Sequence, residues 1–300
     1  LVDLGWTGIN LPESVGGSGL GIAALIPVVE SMGRGLMGTP LVSTVLAAEL
    51  IRRAGGIAEE DVLEDISRGC AATVAYLDGS DWGATNTGVS VDANGVLSGS
   101  KFMVPDAAQA TWIAVVGSDA AGDAVVALVA GRDVAAQAQA SHALIDLTKR
   151  ASTLDLTGVK AQRVLSGDKV ASAIRDYLLI GALLTAAEAV GSTSACLAGI
   201  VDYLKTRKQF GKLIGSFQAL KHPTVDIYVG MEHSRSLVYH ASSEIDVGPL
   251  SAEAEVACRM AKAKASDTIQ YAGDRSVQFH GGFGFTWECD SSLFIRRAAW

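Results

Sequence analysis

The 300-residue chain predicts an α+β protein of several domains: an N-terminal helical region, a small middle β domain of barrel-like or sandwich kind, and a C-terminal four-helix bundle. Three observations predict it. Alanine-rich segments with helical spacing stand at both ends of the chain. Between them the period shortens to runs of a few apolar residues punctuated by turn formers. Hydrophobic residues make up 49% of the chain and aromatics only 6%, a balance that suits helices packed closely on one another. The domains expected from these changes of period are 1–70, 71–165 and 166–300, and a chain of this length can bury a large core.

In the first domain the spacing predicts helices over Ile22 to Met32 and Leu41 to Arg53, broken by glycine turns at Gly16-Gly17-Ser18-Gly19 and Gly55-Gly56. The GGSGLG run is not a phosphate loop, because no strand leads into it and no Lys-Ser/Thr follows. In the second domain, Val89 to Val91 and Val96 to Ser98 flank Asn94-Gly95 and predict a hairpin with a two-residue turn. Trp112 to Val116, Ala124 to Val129 and Leu154 to Leu156 read as further strands. From Lys169 onward the pattern predicts helices over Ala171 to Thr206, Phe217 to Ser243 and Ala252 to Phe279, with a fourth from about Ser291.

The net charge of −8 leaves no basic stripe for a nucleic-acid backbone. Lys205, Arg207, Lys208, Lys212 and Lys221 form a local exception, read either as a solvated helix face or as a site for one bound anion. The four cysteines, Cys70, Cys196, Cys258 and Cys289, show neither CxxC spacing nor a paired framework and are expected to be reduced thiols of a cytoplasmic protein, with no metal site. No uninterrupted apolar run reaches the roughly eighteen residues of a membrane span, and no signal-type core opens the chain. The first residue is Leu1 rather than Met, so further residues are expected before it.

Two blocks carry chemistry. Tyr203 to His222 reads YLKTRKQFGKLIGSFQALKH and Gln278 to Glu288 reads QFHGGFGFTWE. With the N-terminal LGWTGINLPESVGGSGLG, they resemble the acyl-CoA dehydrogenases, flavoenzymes that remove two hydrogens across the α,β carbons of an acyl thioester. The resemblance implies the helix, sheet, helix-bundle architecture and an FAD shared between subunits. It assigns Arg207, Gln209, Phe210 and Gln218 of the first block, and Gln278, Gly281 and Gly282 of the second, to that FAD. An arginine can fork onto a diphosphate, a phenylalanine can pack on a ring, and glycine admits close backbone approach. Taken alone, Arg207 to Gly211 reads as a helix C-cap with a surface arginine and Gly281-Gly282 as a loop between helices. His280 is read as structural, since no carboxylate or nucleophile accompanies it in the motif.

Other positions depart from the family. Its Thr-Glu-Pro-Gly loop corresponds to Tyr76-Leu77-Asp78-Gly79-Ser80-Asp81-Trp82, and its Lys-x-Trp-Ile-Thr strand to Lys101-Phe102-Met103-Val104-Pro105-Asp106. Met103 stands where the indole is expected, and Pro105 where a hydroxyl would bond the flavin. The catalytic carboxylate is unknown. In most of the family it follows the C-terminal Arg-Arg/Arg-Asp segment, here Arg296-Arg297, and is expected beyond Trp300. A minority place it where Gly181 stands, next to an arginine position filled by Ala182. Glu188 lies two turns further along, about 10 Å at a rise of 1.5 Å per residue, and is read as a helix carboxylate bonded to a neighbouring helix.

The resemblance implies acyl-CoA as substrate, electron transferring flavoprotein as acceptor, and a homo- or heterotetramer. Two roles stay open: a subunit that itself dehydrogenates acyl-CoA, and a silent partner that completes the FAD site of a different active subunit, as in bacterial enzymes for sterol-derived thioesters. Oxidase chemistry is a third reading.

Overall fold

The N-terminal glycine run spends its amides on its own chain. In the computed structural model, which describes residues 4–55, 59–81, 83–134, 139–245 and 247–300, Gly17 N–H donates to Pro12 O, Ser18 N–H to Gly8 O and Gly19 N–H to Leu11 O. A Cβ on Gly17 would stand 2.1 Å from Leu11 O. The run is a turn packed on backbone, and its amides from Gly16 to Leu20 are all spent on the chain's own carbonyls rather than on a phosphate. Gly56 and Trp82 lie outside the described residues.

Contacts group the chain into two compact units: Leu1–Ala24, Gly38–Ile180 and Asp246–Pro249 in one, Leu25–Met37, Gly181–Ile245 and Leu250–Trp300 in the other. In the first unit, α2 (Leu41–Gly55) and α3 (Glu60–Ser67) cover a mixed sheet. Its strands are β1 (Ala72–Ala75), β2 (Ser90–Val91), β3 (Leu97–Ser98), β5 (Trp112–Ser118), β6 (Ala124–Ala130) and β9 (Arg163–Leu165). The order is β3-β2-β5-β6-β9, with β1 pairing in parallel beside β5. A second sheet has the order β4-β8-β7, from β4 (Ser100–Pro105), β7 (Gln139–Ser141) and β8 (Ala151–Asp155).

The unbroken apolar runs of β5 and β6 follow from burial on both faces. Ala114, Val116, Val126 and Leu128 pack against Leu50, Ile51, Val62 and Ile66 of the helices. Ile113, Val115, Ala127 and Val129 point the other way, to a core shared with Val104 and Leu154 of the second sheet.

The hairpin β2–β3 forms, but not with the two-residue Asn94-Gly95 turn that the sequence predicts. Asp92 N–H donates to Val96 O and Gly95 N–H to Asp92 O, and only Gly95 has a positive φ, 76°. This is a three-residue loop. The Asp92 carboxylate decides it by accepting from the amides of Asn94 and Val96 at 2.9 and 2.7 Å.

In the second unit, the predicted helix over Ile22 to Met32 begins only at α1 (Ile26–Arg34), where Pro27 sits in the first turn and its missing N–H does no harm. Ile22–Leu25 is instead a 3-10 turn. α4 (Lys169–Thr206), which belongs to this unit from Gly181 onward, is followed by α5 (Gln218–Ser243), α6 (Ala252–His280) and α7 (Ser291–Ala298). Ser251 caps α6 by accepting from Ala254 N–H at 3.1 Å, with Glu253 and Glu255 in its first turn. The small residues let backbones touch: a Cβ on Gly191 would lie 1.8 Å from Glu30 O, and one on Gly273 would lie 2.8 Å from Ile295 Cα.

α4 is long and apolar enough to cross a membrane, with a best-window mean hydropathy of 1.5, but buried core helices share that composition. Half of that window is buried in the protein. Among the described residues no cluster of His, Cys, Asp and Glu could hold a metal ion, and the four cysteines are unbridged.

Candidate cofactor site

The segment after α4 is a hairpin rather than a helix cap. β10 (Lys208–Gln209) pairs with β11 (Lys212–Leu213), and the two residues between them, Phe210 and Gly211, have φ of 53° and 76°. Two consecutive left-handed residues make a type I′ turn. Glycine takes this conformation freely, whereas a phenylalanine there costs about 1 kcal/mol. The strained Phe210 ring is nonetheless 90% exposed. Its aromatic neighbour among the described residues is Phe217, edge-on at 6.1 Å, over which the Lys212 ammonium lies at 4.3 Å. The hairpin is rooted below by buried Ile214, whose N–H donates to Arg207 O, while Arg207 N–H donates to Tyr203 O.

The C-terminal end of α6 forms the facing wall. Gly281 has φ 61° and ψ −143°, a conformation that only glycine populates readily, and a 3-10 turn runs from Gly281 to Phe285. Tyr203 stacks on the ring of His280 with centroids 4.2 Å apart.

Between the walls lies a cavity of about 800 Å³, lined among others by Tyr203, Arg207, Gln209, Phe210, Phe217, His280, Gly281, Gly282 and Phe283. Five of the seven residues assigned from sequence thus meet at one cavity: Arg207, Gln209, Phe210, Gly281 and Gly282. The other two, Gln218 at the start of α5 and Gln278 in the last turn of α6, are exposed and outside its lining. Tyr203, Phe217, His280 and Phe283 were not assigned to a site from sequence. Tyr203 and His280 are 77 residues apart and carry no local pattern that joins them.

Two observations fit FAD. The Arg207 guanidinium has no ion-pair or hydrogen-bond partner among the described residues, so a cation stands ready at the rim for an anion. A Cβ on Gly282 would meet no protein atom within 4 Å. The protein's own packing therefore does not require glycine at Gly282; a flat ligand lying against the turn would. A second cavity, of about 140 Å³ beside Gln109, His142 and Arg150, is too small for a dinucleotide.

The altered β-domain residues have their own structural roles. Met103 is a left-handed residue, φ 50°, at a register shift in β4, and it packs toward the α2 and α3 core. Pro105 O accepts from Thr73 Oγ1 at 2.6 Å. Gly181, in the minority base position, carries no side chain, and its carbonyl accepts from Thr185 Oγ1. Glu188 is buried and accepts from Arg297 Nη1 at 2.6 Å, both side chains being less than a tenth exposed.

Residues 1–69 match the acyl-CoA dehydrogenase N-terminal domain and residues 171–299 the acyl-CoA dehydrogenase C-terminal domain. Acyl-CoA dehydrogenase IpdE2 of Mycobacterium tuberculosis is 32% identical over 298 residues, which cover 98% of this chain and 77% of IpdE2. Among solved structures, the Tcur3481-Tcur3483 steroid ACAD superposes with a TM-score of 0.86 at 28% identity, covering 99% of this chain and 81% of that one. The ChsE4-ChsE5 complex from Mycobacterium tuberculosis does so with a TM-score of 0.84 at 26% identity, covering 99% and 80%. The chain belongs to the acyl-CoA dehydrogenase family, FAD-dependent oxidoreductases that act on the CH–CH bond of acyl-CoA.

Proposed function

We propose that this chain is an acyl-CoA dehydrogenase subunit that contacts FAD through Arg207, Gln209, Phe210, Gly281 and Gly282, with Gln218 and Gln278 reaching the same cofactor where subunits meet. The observation that carries the proposal is the convergence of the Phe210-Gly211 turn and the Gly281-Gly282 turn on one cavity. FAD, when bound, supplies the acceptor for the hydride that leaves the β-carbon of the thioester. The chain's residues bind and cover it. Arg207 pairs with the diphosphate, exposed Phe210 shields a ring from water, and the glycines let the backbone lie close.

The substrate is an acyl-CoA, and the steroid ACAD relative favours a bulky, sterol-derived thioester. The partner is another acyl-CoA dehydrogenase subunit, of the same or a different chain, in a cytoplasmic homo- or heterotetramer that reduces electron transferring flavoprotein. Exposed Val225, Tyr228 and Val229 on α5 and Val256 and Met260 on α6 favour such an assembly.

A second reading, the silent partner, is favoured by a specific observation. In α4 the base position is Gly181, and the nearest carboxylate further along, Glu188, is held by Arg297. The relative ChsE4-ChsE5 is itself a complex of two chains.

The visible spectrum separates the two roles. Protein expressed alone that carries stoichiometric oxidised flavin, absorbing near ~450 nm as flavins do, supports the self-sufficient subunit. Colourless protein that gains flavin only on co-expression with a second acyl-CoA dehydrogenase chain supports the silent partner. In either assembly, Arg207→Ala is expected to weaken flavin retention by about 1.5–3 kcal/mol, the worth of charge-assisted bonds. Unchanged flavin content in that variant would sink the cofactor assignment.

A further inference from the structure

We infer that the smaller cavity, in the β domain, binds a small oxyanion, a phosphate or carboxylate group, with the Ser152 hydroxyl at its floor and Arg150 at its mouth. The cavity lies where the paired strands β7 and β8 meet the turn that follows β4, and its lining includes Gln109, Ser141, His142, Arg150 and Ser152. Ser141 and Ser152 are direct partners across the two antiparallel strands, so their side chains leave the sheet on one face. Ser152 also pairs with Val104 of β4, and Leu154 follows it two residues on, on the same face. Val104 and Leu154 belong to the core between the two sheets. The Ser152 side chain is therefore turned inward, and the residue is only 4% exposed, whereas Ser141 is exposed.

The Ser152 hydroxyl has no hydrogen-bond partner among the described residues, and a buried polar group left so costs about 1–3 kcal/mol. The cavity that Ser152 lines is where a partner can reach it. Its volume of about 140 Å³ exceeds the ~10–15 Å³ that one water needs by roughly tenfold.

Charge selects the kind of ligand. Arg150 is exposed and likewise has no ion-pair or hydrogen-bond partner among the described residues, and Lys149 brings a second positive charge to the lining. Asp106 is the carboxylate there, and it already accepts from Ser43 Oγ at 2.7 Å. His142 Nε2 is paired with Thr153 Oγ1 at 2.8 Å. A hydroxyl and a guanidinium are left to meet a ligand, under an excess of positive charge. An oxyanion accepts from both.

The test titrates the intact protein calorimetrically with inorganic phosphate and, separately, with acetate, at constant ionic strength. One saturable site per chain is expected, weakened about tenfold by Arg150→Gln and by Ser152→Ala. The tighter probe identifies the group as phosphate or carboxylate. Ser152→Ala removes a hydroxyl that the fold does not engage, so its melting temperature without anion should match wild type. Only the rise that the tighter probe gives wild type should vanish, which separates lost binding from lost folding.

Arg207→Ala, at the other cavity, should leave this binding intact. An anion released by Arg207→Ala sits in the cofactor cavity instead and overturns the inference, as does titration without saturation by either probe. Binding that falls with Arg150→Gln but not with Ser152→Ala is attraction at the surface, and it overturns the inference too.

Discussion

Lys101 is fully buried, and its ammonium donates to Tyr76 O and Asn86 O, each at 2.8 Å, and to the Asp78 carboxylate. Burial pulls its pKa down, and the hydrogen bond it donates to Asp78 offsets this in part. Asp78 also accepts from Gly88 N–H at 2.7 Å, and Asn86 Oδ1 from Asp78 N–H at 2.9 Å. One cation thus knots the loop that stands where the family's Thr-Glu-Pro-Gly loop is expected. Lys101→Met should cost about 3 kcal/mol in urea unfolding, since two carbonyls and a carboxylate lose their donor. A loss below about 1 kcal/mol would show that water replaces the ammonium. The thiols give a second check at this scale. Burial pushes Cys196 up to about 12 and Cys258 up to about 11, Cys289 is buried, and only Cys70 is partly exposed. Titration of native protein with a thiol reagent at pH 8 should find one fast-reacting cysteine, and two or more would contradict the packing described.

Among the elements, the β10–β11 hairpin places a poor turn former at a position suited to asparagine. Phe210→Asn is expected to raise stability by roughly 0.5–1 kcal/mol while lowering flavin retention. A thermal melt paired with the flavin-to-protein absorbance ratio checks both, and unchanged flavin content would detach Phe210 from the cofactor. Glu188→Gln should destabilise by about 3–5 kcal/mol in urea unfolding, because the buried ion pair with Arg297 is broken. The long helices were legible in sequence to within a few residues because alanine, a Ser251 cap and short connections act locally. Strands β5 and β6 were legible as apolar runs. The Phe210-Gly211 turn was not, since phenylalanine argues against the left-handed conformation that it adopts. The burial of Lys101, the Glu188–Arg297 pair and the Tyr203–His280 stack were equally hidden, each joining residues far apart in sequence.

At the scale of the whole molecule, the exposed apolar residues on α5 and α6 fit the neighbouring subunit proposed above. Val229→Asp with Met260→Asp should lower the mass seen by light scattering and, with it, bound flavin. A smaller assembly that keeps its flavin would place the cofactor within a single subunit. The Glu188–Arg297 pair also bears on descent. Its members sit 109 positions apart, and loss of either breaks a buried ion pair. A lineage that drops one must accept a less stable intermediate or change both together. The two positions should therefore be inherited as a unit, and homologues carrying only one of the charges should be rare.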